Sequence, residues 1–535
     1  MMVEGLILIS IILFICIILQ KVSGKIGIPG LFIFIILGMI FGSDGIFKID
    51  FEDYNFAYYF SSIALIFIMF YGGVGTKWSK AKPIAAKAIV LSSLGTILTA
   101  FFVGMFCYLA LNISILESLL VGSVICSTDA ASVFSILRSK KMNLKYSTAS
   151  LIEVESGSND PFSYMLTTII LTIMSAVSNV SVWTVLGDLA LQIVVGVAFG
   201  FIFAIIAKYA LKKFKFKDSD LDIAFFVALA IITFALPTLL KGNGYLAVYI
   251  TGIIIGNANI SYNKKSMFNF FDGATSIIQM LLFFLLGLLA TPSRMPGIIG
   301  VSLLIALFLT FVGRPLAVFI SMTLFKAKFR QQVFVAWTGM RGVASIVFAI
   351  VAITTYDKIS IDIFHIVFFI VLFSILLQGT LLPFVAKKLN MIDYEEDVMK
   401  TFNDYLEEVP VQFIQFNLPK EHEWIGKKIS EITLPPDSIL VLVVRNGNKI
   451  IPNGNTKLLE NDIMILSGKD SSKIDGINLY EKLIEAGDPL VDKKVKDVSI
   501  VNKLIILIKR GNSVIIPKGD TVIHKDDVLV INDTK

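Results

Sequence analysis

Glu155-Ser156-Gly157-Ser158-Asn159-Asp160-Pro161 stands near the start of an apolar run over 147–178, and Ser127-Thr128-Asp129-Ala130-Ala131 stands inside the run just before it, over 115–137. An ionised carboxylate in hydrocarbon costs roughly 3 kcal/mol on insertion scales, so an acid at such depth faces a water-filled path or binds a cation. Asp129 and Asp160, on neighbouring apolar segments, therefore point to cation transport.

The surroundings are those of a membrane protein. The 535 residues are 56% hydrophobic and only 16% charged, with a mean hydropathy of +0.79, too apolar for an ordinary soluble protein. Runs long enough to cross about 30 Å of hydrocarbon fall at approximately 2–20, 28–42, 56–75, 83–111, 115–137, 147–178, 182–211, 221–240, 244–260, 267–290, 297–325, 330–355 and 361–386. That makes about thirteen spans. The first has Glu4 where a secretory signal needs a basic region and no small-residue cleavage site after it, so it reads as a retained span.

Charge in the connections alternates. Lys21/Lys25, Lys77/Lys80/Lys82, Arg138/Lys140/Lys141/Lys145, Lys212/Lys213/Lys215/Lys217, Lys264/Lys265, Lys326/Lys328/Arg330 and Lys387/Lys388 follow odd-numbered spans or precede even-numbered ones. The other connections hold little beyond Lys48, Lys241, Arg294 and Lys358, with the acidic Asp50-Phe51-Glu52-Asp53 among them. The positive-inside rule then sets the N-terminus outside and the C-terminal tail in the cytoplasm of a cell-membrane protein. Residues 1–389 carry 28 Lys and Arg against 17 Asp and Glu, whereas residues 390–535 carry 19 against 24. The basic excess is thus a topology signal and not a nucleic-acid footprint. Three unpaired cysteines and three scattered histidines form no disulfide framework or zinc site, and neither a cofactor nor enzyme chemistry is expected.

Within 147–178, Glu153, Ser156 and Asp160 are spaced i, i+3, i+7 on one helix face, with Glu155 and Asn159 on an adjacent one. Pro161 lacks an N–H, which frees the Gly157 carbonyl beside Ser156 and Asp160 as a further oxygen ligand. The competing reading is polar capping of a frayed helix end near Lys145. Asp129 stands mid-run with no cap to make; its competing reading is a carboxylate hydrogen-bonded for packing. Desolvation disfavours an ionised carboxylate, so a buried acid pair can exchange a proton for a metal ion, and competition for one pair couples the two movements. Arg341, in 330–355, needs a partner at depth, for which Glu155 or Glu153 is the candidate. Arg314 poses the same question. Asp188, Asp222 and Asp272 lie nearer span ends and read as interfacially solvated, and Gly72-Gly73-Val74-Gly75 reads as a close helix contact.

Ile125-Cys126-Ser127-Thr128-Asp129-Ala130-Ala131-Ser132-Val133-Phe134 is echoed by Thr338-Gly339-Met340-Arg341-Gly342-Val343-Ala344-Ser345-Ile346-Val347-Phe348. These stretches lie in the fifth and twelfth spans, seven apart, as an inverted repeat with interrupted, crossing helices would have them. After an acidic connector over 390–408, strand-like runs at Val411–Leu418, Ile439–Arg445 and Ile463–Leu466 are punctuated by Asn446-Gly447 and Pro452-Asn453-Gly454. A second pass follows at an offset of about 65, pairing Arg445 with Arg510, Pro452 with Pro517, Gly454 with Gly519, Thr456 with Thr521 and Asp462 with Asp527. The expected fold is an all-α polytopic membrane domain over 1–389, followed by a small α/β cytoplasmic region with two copies of one module, over 409–470 and 476–535.

Thr128-Asp129, the run from Glu155 to Pro161, and Gly339-Met340-Arg341-Gly342 resemble the monovalent cation:proton antiporter family of NhaP and the animal Na⁺/H⁺ exchangers, through nearly all of residues 1–389. The resemblance implies a dimer that exchanges K⁺ or Na⁺ for H⁺, with the cation bound by Asp160, Asp129, Ser156 and the backbone carbonyl of Thr128. It implies that Asn159 braces the interrupted fifth helix and that Glu155 pairs with Arg341. The Asn-Asp pair is associated in this family with electroneutral exchange. The acid that many relatives carry after the glycine-rich end of span three is replaced here by Thr76 and Lys77.

The tail is similar to the TrkA-C (RCK-C) domain, in Ile425-Gly426, Leu434-Pro435, Arg445, Ile451-Pro452 and Asn461-Asp462, with Asp526-Asp527 at the last position of the second copy. No G-x-G-x-x-G follows any strand, so NAD is not expected. A small nucleotide such as cyclic di-AMP is the regulator this resemblance implies, and the combination with potassium/proton antiporters of the CvrA type implies K⁺. The alternative, a ligand-regulated cation channel, would carry a T-V-G-Y-G-like filter loop, which the sequence lacks.

Overall fold

A computed structural model describes residues 10–19, 30–140, 142–176, 181–214, 219–258, 264–393, 411–419, 422–435, 438–445, 448–469, 478–484, 488–498, 503–510, 513–515 and 517–533. Glu4, Lys21, Lys25, Lys141, Lys215, Lys217, most of the acidic connector and Asn446-Gly447 lie outside the described residues. The chain divides into two compact units, Met1–Glu407 and Glu408–Lys535.

The first unit is helical. In chain order it contains α1 (Ser10–Leu19), α2 (Gly30–Phe41), α3 (Tyr54–Gly75), α4 (Lys82–Leu111), α5 (Ile115–Val124), α6 (Ala130–Ser139), α7 (Thr148–Ser175), α8 (Val182–Phe214), α9 (Ser219–Leu239), α10 (Gly244–Gly256), α11 (Lys264–Leu289), α12 (Pro296–Thr323), α13 (Phe329–Trp337), α14 (Val343–Thr355) and α15 (Ile363–Lys388). Seven of the described helices are long and apolar enough to cross a membrane. The run over 147–178 forms α7 as one helix with Pro161 inside it. The runs over 115–137 and 330–355 do not form single helices; each is split, into α5 and α6 and into α13 and α14.

Both splits have local causes. Asp129 ends the first one: its Oδ1 accepts the backbone N–H groups of Ala131 at 2.9 Å and Ser132 at 3.4 Å, the pattern that starts a helix. At the second, Gly339 and Gly342 flank the turn, and neither carries a side chain to hold a helical backbone in place. α3 and α10 approach closely through the glycine-rich end of α3. A Cβ on Gly73 would come within 2.5 Å of the Tyr249 carbonyl oxygen, so Gly73 permits the close contact, whereas a Cβ on Gly72 would meet nothing within 4 Å. A short ribbon of β1 (Asn143–Leu144) and β2 (Ile392–Asp393) ties the segment before α7 to the segment after α15, with Met391 and Ile392 buried in this unit.

The second unit is built from β3 (Val411–Asn417), β4 (Ser438–Arg445), β5 (Asn448–Ile450), β6 (Ile463–Lys469), β7 (Asn478–Leu483), β8 (Lys503–Arg510), β9 (Ser513–Ile515) and β10 (Val528–Asp533). They form two antiparallel sheets of the same order, β3-β6-β4-β5 and β7-β10-β8-β9. The expected α/β character is corrected to strand-rich: among the described residues this unit has only the 3-10 turns Ile429–Glu431 and Val495–Asp497 beside its strands.

The repeat seen in sequence is carried in each sheet by one ion pair between a partly exposed arginine and a buried aspartate. Arg445 donates from Nε and Nη2 to the two oxygens of Asp462, both at 2.8 Å, and Arg510 does the same to Asp527 at 2.8 and 2.7 Å. A third bond from Nη2 of each arginine reaches a backbone carbonyl, of Lys457 and of Val522 respectively, each at 2.7 Å. The Arg510 guanidinium holds the Asp527 carboxyl below the usual carboxylate range. For Asp462 burial pushes upward, and the Arg445 fork with the Leu459 N–H outweighs it, so the net direction is again downward.

Candidate ion-binding site at the crossing of two broken helices

The two breaks meet. The Asp129 N–H donates to the Met340 carbonyl at 2.8 Å, and Arg341 Nη1 donates to the carbonyls of Cys126 at 2.9 Å and Ser127 at 2.5 Å. The cation thus sits on carbonyls left without helical donors at the C-terminal end of α5, where the helix dipole is negative. The N-termini of α6 and α14 begin beside it, and Gly342 lies against Asp129: a Cβ there would fall 2.5 Å from the Asp129 Cβ. Gln378 Nε2 donates to the Trp337 carbonyl at 3.0 Å and Ser374 Oγ accepts the Arg341 N–H at 2.9 Å, so α15 holds the second break open.

α7 crosses beside this junction and supplies most of the side chains. Ser156 Oγ donates to the Thr128 carbonyl at 2.6 Å and accepts the Ala130 N–H at 3.0 Å. Asn159 Nδ2 donates to Thr128 Oγ1 at 2.6 Å, while its Oδ1 accepts the Thr128 N–H at 3.3 Å. Asp160 Oδ1 accepts the Ser127 hydroxyl. Asp129 Oδ2 accepts the Ser132 hydroxyl at 2.6 Å. Asp129 and Asp160, with Thr128, Ser156 and Glu153, line one cavity of about 410 Å³.

Two expectations are corrected here. Asp129 does have a cap to make, because the break in the run turns a mid-span position into the start of α6. Glu155 pairs with Arg314 and not with Arg341: Arg314 Nη2 lies 2.6 Å from Glu155 Oε1, with both side chains almost fully buried. Arg341 instead spends its bonds on the carbonyls of the first break. Both guanidiniums keep nitrogens without a hydrogen-bond partner, Nε and Nη1 on Arg314 and Nε and Nη2 on Arg341. Arg314 thus has the Glu155 carboxylate in direct contact, whereas the hydrogen bonds of the Arg341 guanidinium go to backbone carbonyls.

Residues 10–388 match the family described as sodium/hydrogen exchanger, transmembrane. The chain belongs to this family. The exchanger's tail matches the TrkA-C domain twice, over 413–474 and 479–531. It is 30% identical over 469 residues to the K(+)/H(+) antiporter NhaP of Alkalimonas amylolytica, covering 86% of this chain and 80% of that protein. It is also 30% identical over 493 residues to the K(+)/H(+) antiporter NhaP2 of Shewanella sp. strain ANA-3, covering 90% and 85%. Among solved structures, the sodium proton antiporter MjNhaP1 from Methanocaldococcus jannaschii superposes with a TM-score of 0.64 at 23% identity, over 72% of this chain and 99% of that one. That likeness shows the fold.

Some residues of this exchanger's site were not singled out from sequence. Ser127 and Ser132 hold one aspartate each; Ser132 stands at i+3 from Asp129, the spacing of a capping side chain, and that signal was legible. Asp272 is half-buried near the start of α11. It lines the cavity with the two aspartates and accepts a hydrogen bond from the Tyr71 hydroxyl. Asp222 is buried, and Asp188 borders a separate pocket of about 320 Å³ together with Lys241. No sequence signal pairs Glu155 with Arg314, 159 residues away, because only the tertiary structure brings the two side chains together.

Proposed function

We propose that this exchanger-family protein is a secondary antiporter that moves K⁺, with Na⁺ as the alternative cation, against H⁺ at Asp129 and Asp160. The observation that supports the site is the crossing of the two breaks, which leaves both carboxylates on one cavity beside the Ser156 hydroxyl and the Thr128 carbonyl. A carbonyl oxygen has two acceptor positions, so the Thr128 oxygen that accepts from Ser156 retains one for a cation. Either a cation or a proton neutralises the pair, and a carrier that reorients only when neutralised couples the two by mass action. The K⁺ preference rests on the names of the NhaP and NhaP2 relatives.

The same reading has about thirteen membrane helices in an inverted repeat, with the N-terminus outside and the tail in the cytoplasm. It assembles as a homodimer, exchanges one cation per proton because Asn159 stands where a second acid would add a charge, and is regulated through the TrkA-C modules by a small nucleotide. Purified protein in liposomes tests it. Proton movement driven by a K⁺ gradient and surviving dissipation of the membrane potential is the expected result; a current that follows the potential without countertransport would replace the antiporter with a channel.

A further inference from the structure

We infer that Asp272 gathers and concentrates the cation in the cavity ahead of Asp129 and Asp160, a role that rests on the antiport reading above. α11 runs from Lys264 to Leu289, and Asp272 lies about 12 Å along it at 1.5 Å per residue. Asp272, Ser276 and Gln279 are spaced i, i+4, i+7, so they share one face, and all three line the cavity that holds the two aspartates. A polar face on a membrane helix is otherwise an expense, since lipid and a packed apolar neighbour both penalise it. Here it borders a cavity large enough for water.

The carboxylate itself is not consumed by structure. Among the described residues the one hydrogen-bond partner of the carboxylate is the Tyr71 hydroxyl, on Oδ1, and the residue lines the cavity. No described Lys, Arg or His forms an ion pair with it. Thr76, at the end of α3, donates its hydroxyl to the Gly72 carbonyl of its own helix. Asp272 supplies negative charge to the same cavity from α11, four residues beyond Phe268, whose ring packs 5.0 Å from that of Tyr71. A fixed charge in a walled cavity raises the local concentration of counter-ions, an effect that acts on capture of the cation and not on the reorientation of the loaded carrier.

Proteoliposomes titrated with KCl separate these effects. Asp272→Asn keeps the shape and the acceptor for Tyr71 but removes the charge. It is expected to raise the apparent KM for K⁺ about fivefold with little change in maximal rate, and the gap is expected to shrink as inert choline chloride screens the cavity. Asp272→Glu is expected to restore most of the affinity. An unchanged KM, a loss confined to maximal rate, or a gap that ignores ionic strength would each overturn the role. Should Asp272→Asn fail to insert, Ser276→Lys sets an opposing charge one turn away and is expected to raise KM in the same way; a wild-type KM there overturns the proposal. Wild-type protein without K⁺-driven proton movement would remove the antiport reading itself, and this control is read before any variant.

Discussion

At the scale of single residues, the cavity aspartates and the buried ion pair make different demands on the protein. Asp160→Ala and Asp129→Ala are each expected to reduce K⁺/H⁺ exchange in liposomes to background while the protein still inserts and elutes as wild type; normal exchange in either would remove that residue from the site. Glu155 and Arg314 lie 2.6 Å apart, almost fully buried. Removing one partner alone leaves a charge in a low-dielectric interior, so Arg314→Ala is expected to cost about 3–5 kcal/mol and to lower the Tm of the detergent-solubilised protein. A double-mutant cycle identifies the pair: coupling between positions 155 and 314 is expected at about 0.5–3 kcal/mol and to exceed that between 155 and 341. A larger coupling with Arg341 would restore the pairing expected from sequence.

At the scale of elements, the junction depends on two backbones that approach where side chains are absent. An added methyl at Gly342 meets the Asp129 side chain at 2.5 Å, and one at Gly339 meets Arg314 Nε at 2.7 Å. Both neighbours are pinned by hydrogen bonds, so neither can give way cheaply. Gly342→Ala is therefore expected to displace Asp129 and to lower exchange by about tenfold to a hundredfold, the upper figure being what misplacement by about 1 Å can cost at a reacting centre. Exchange at the wild-type rate would show that the α6 start is softer than its two backbone bonds imply.

At the scale of the whole molecule, the tail is two small sheets, each closed by an arginine fork on a buried aspartate. The carboxyls of Asp462 and Asp527 are lower in the folded state than in the unfolded chain. Their stabilisation is fully present above the unfolded value, near 4, and is lost as pH falls through the folded one. Hydrogen exchange of peptides covering 438–469 and 503–533 is expected to accelerate as pH drops below about 4, after correction for intrinsic rates. In Asp462→Asn the acid-dependent part is expected to vanish from the first module alone. The regulatory reading of the tail has its own test. Because Met391 and Ile392 are buried in the membrane unit and β2 pairs with β1, the informative truncation ends after Asp393 and not after Leu389. That truncation is expected to keep exchange and change its dependence on pH or ligand, and identical activity curves would refute regulation by the tail.

How much of this was legible in the chain follows from the range of the forces involved. Hydropathy, the alternation of basic loops, the depth of Asp129 and Asp160 and the 65-residue repeat are local or periodic properties, so sequence by itself determined a helical membrane unit, a transport chemistry and a duplicated tail. The echo between residues 125–134 and 338–348 also pointed to two interrupted helices. Where those helices break, which carbonyls Arg341 satisfies, that Arg314 is the partner of Glu155, and that Asp272 shares the cavity were decided by tertiary structure alone. Each depends on contacts between segments tens to hundreds of residues apart, and a buried charge takes whichever partner the packing of the helices brings within about 3 Å.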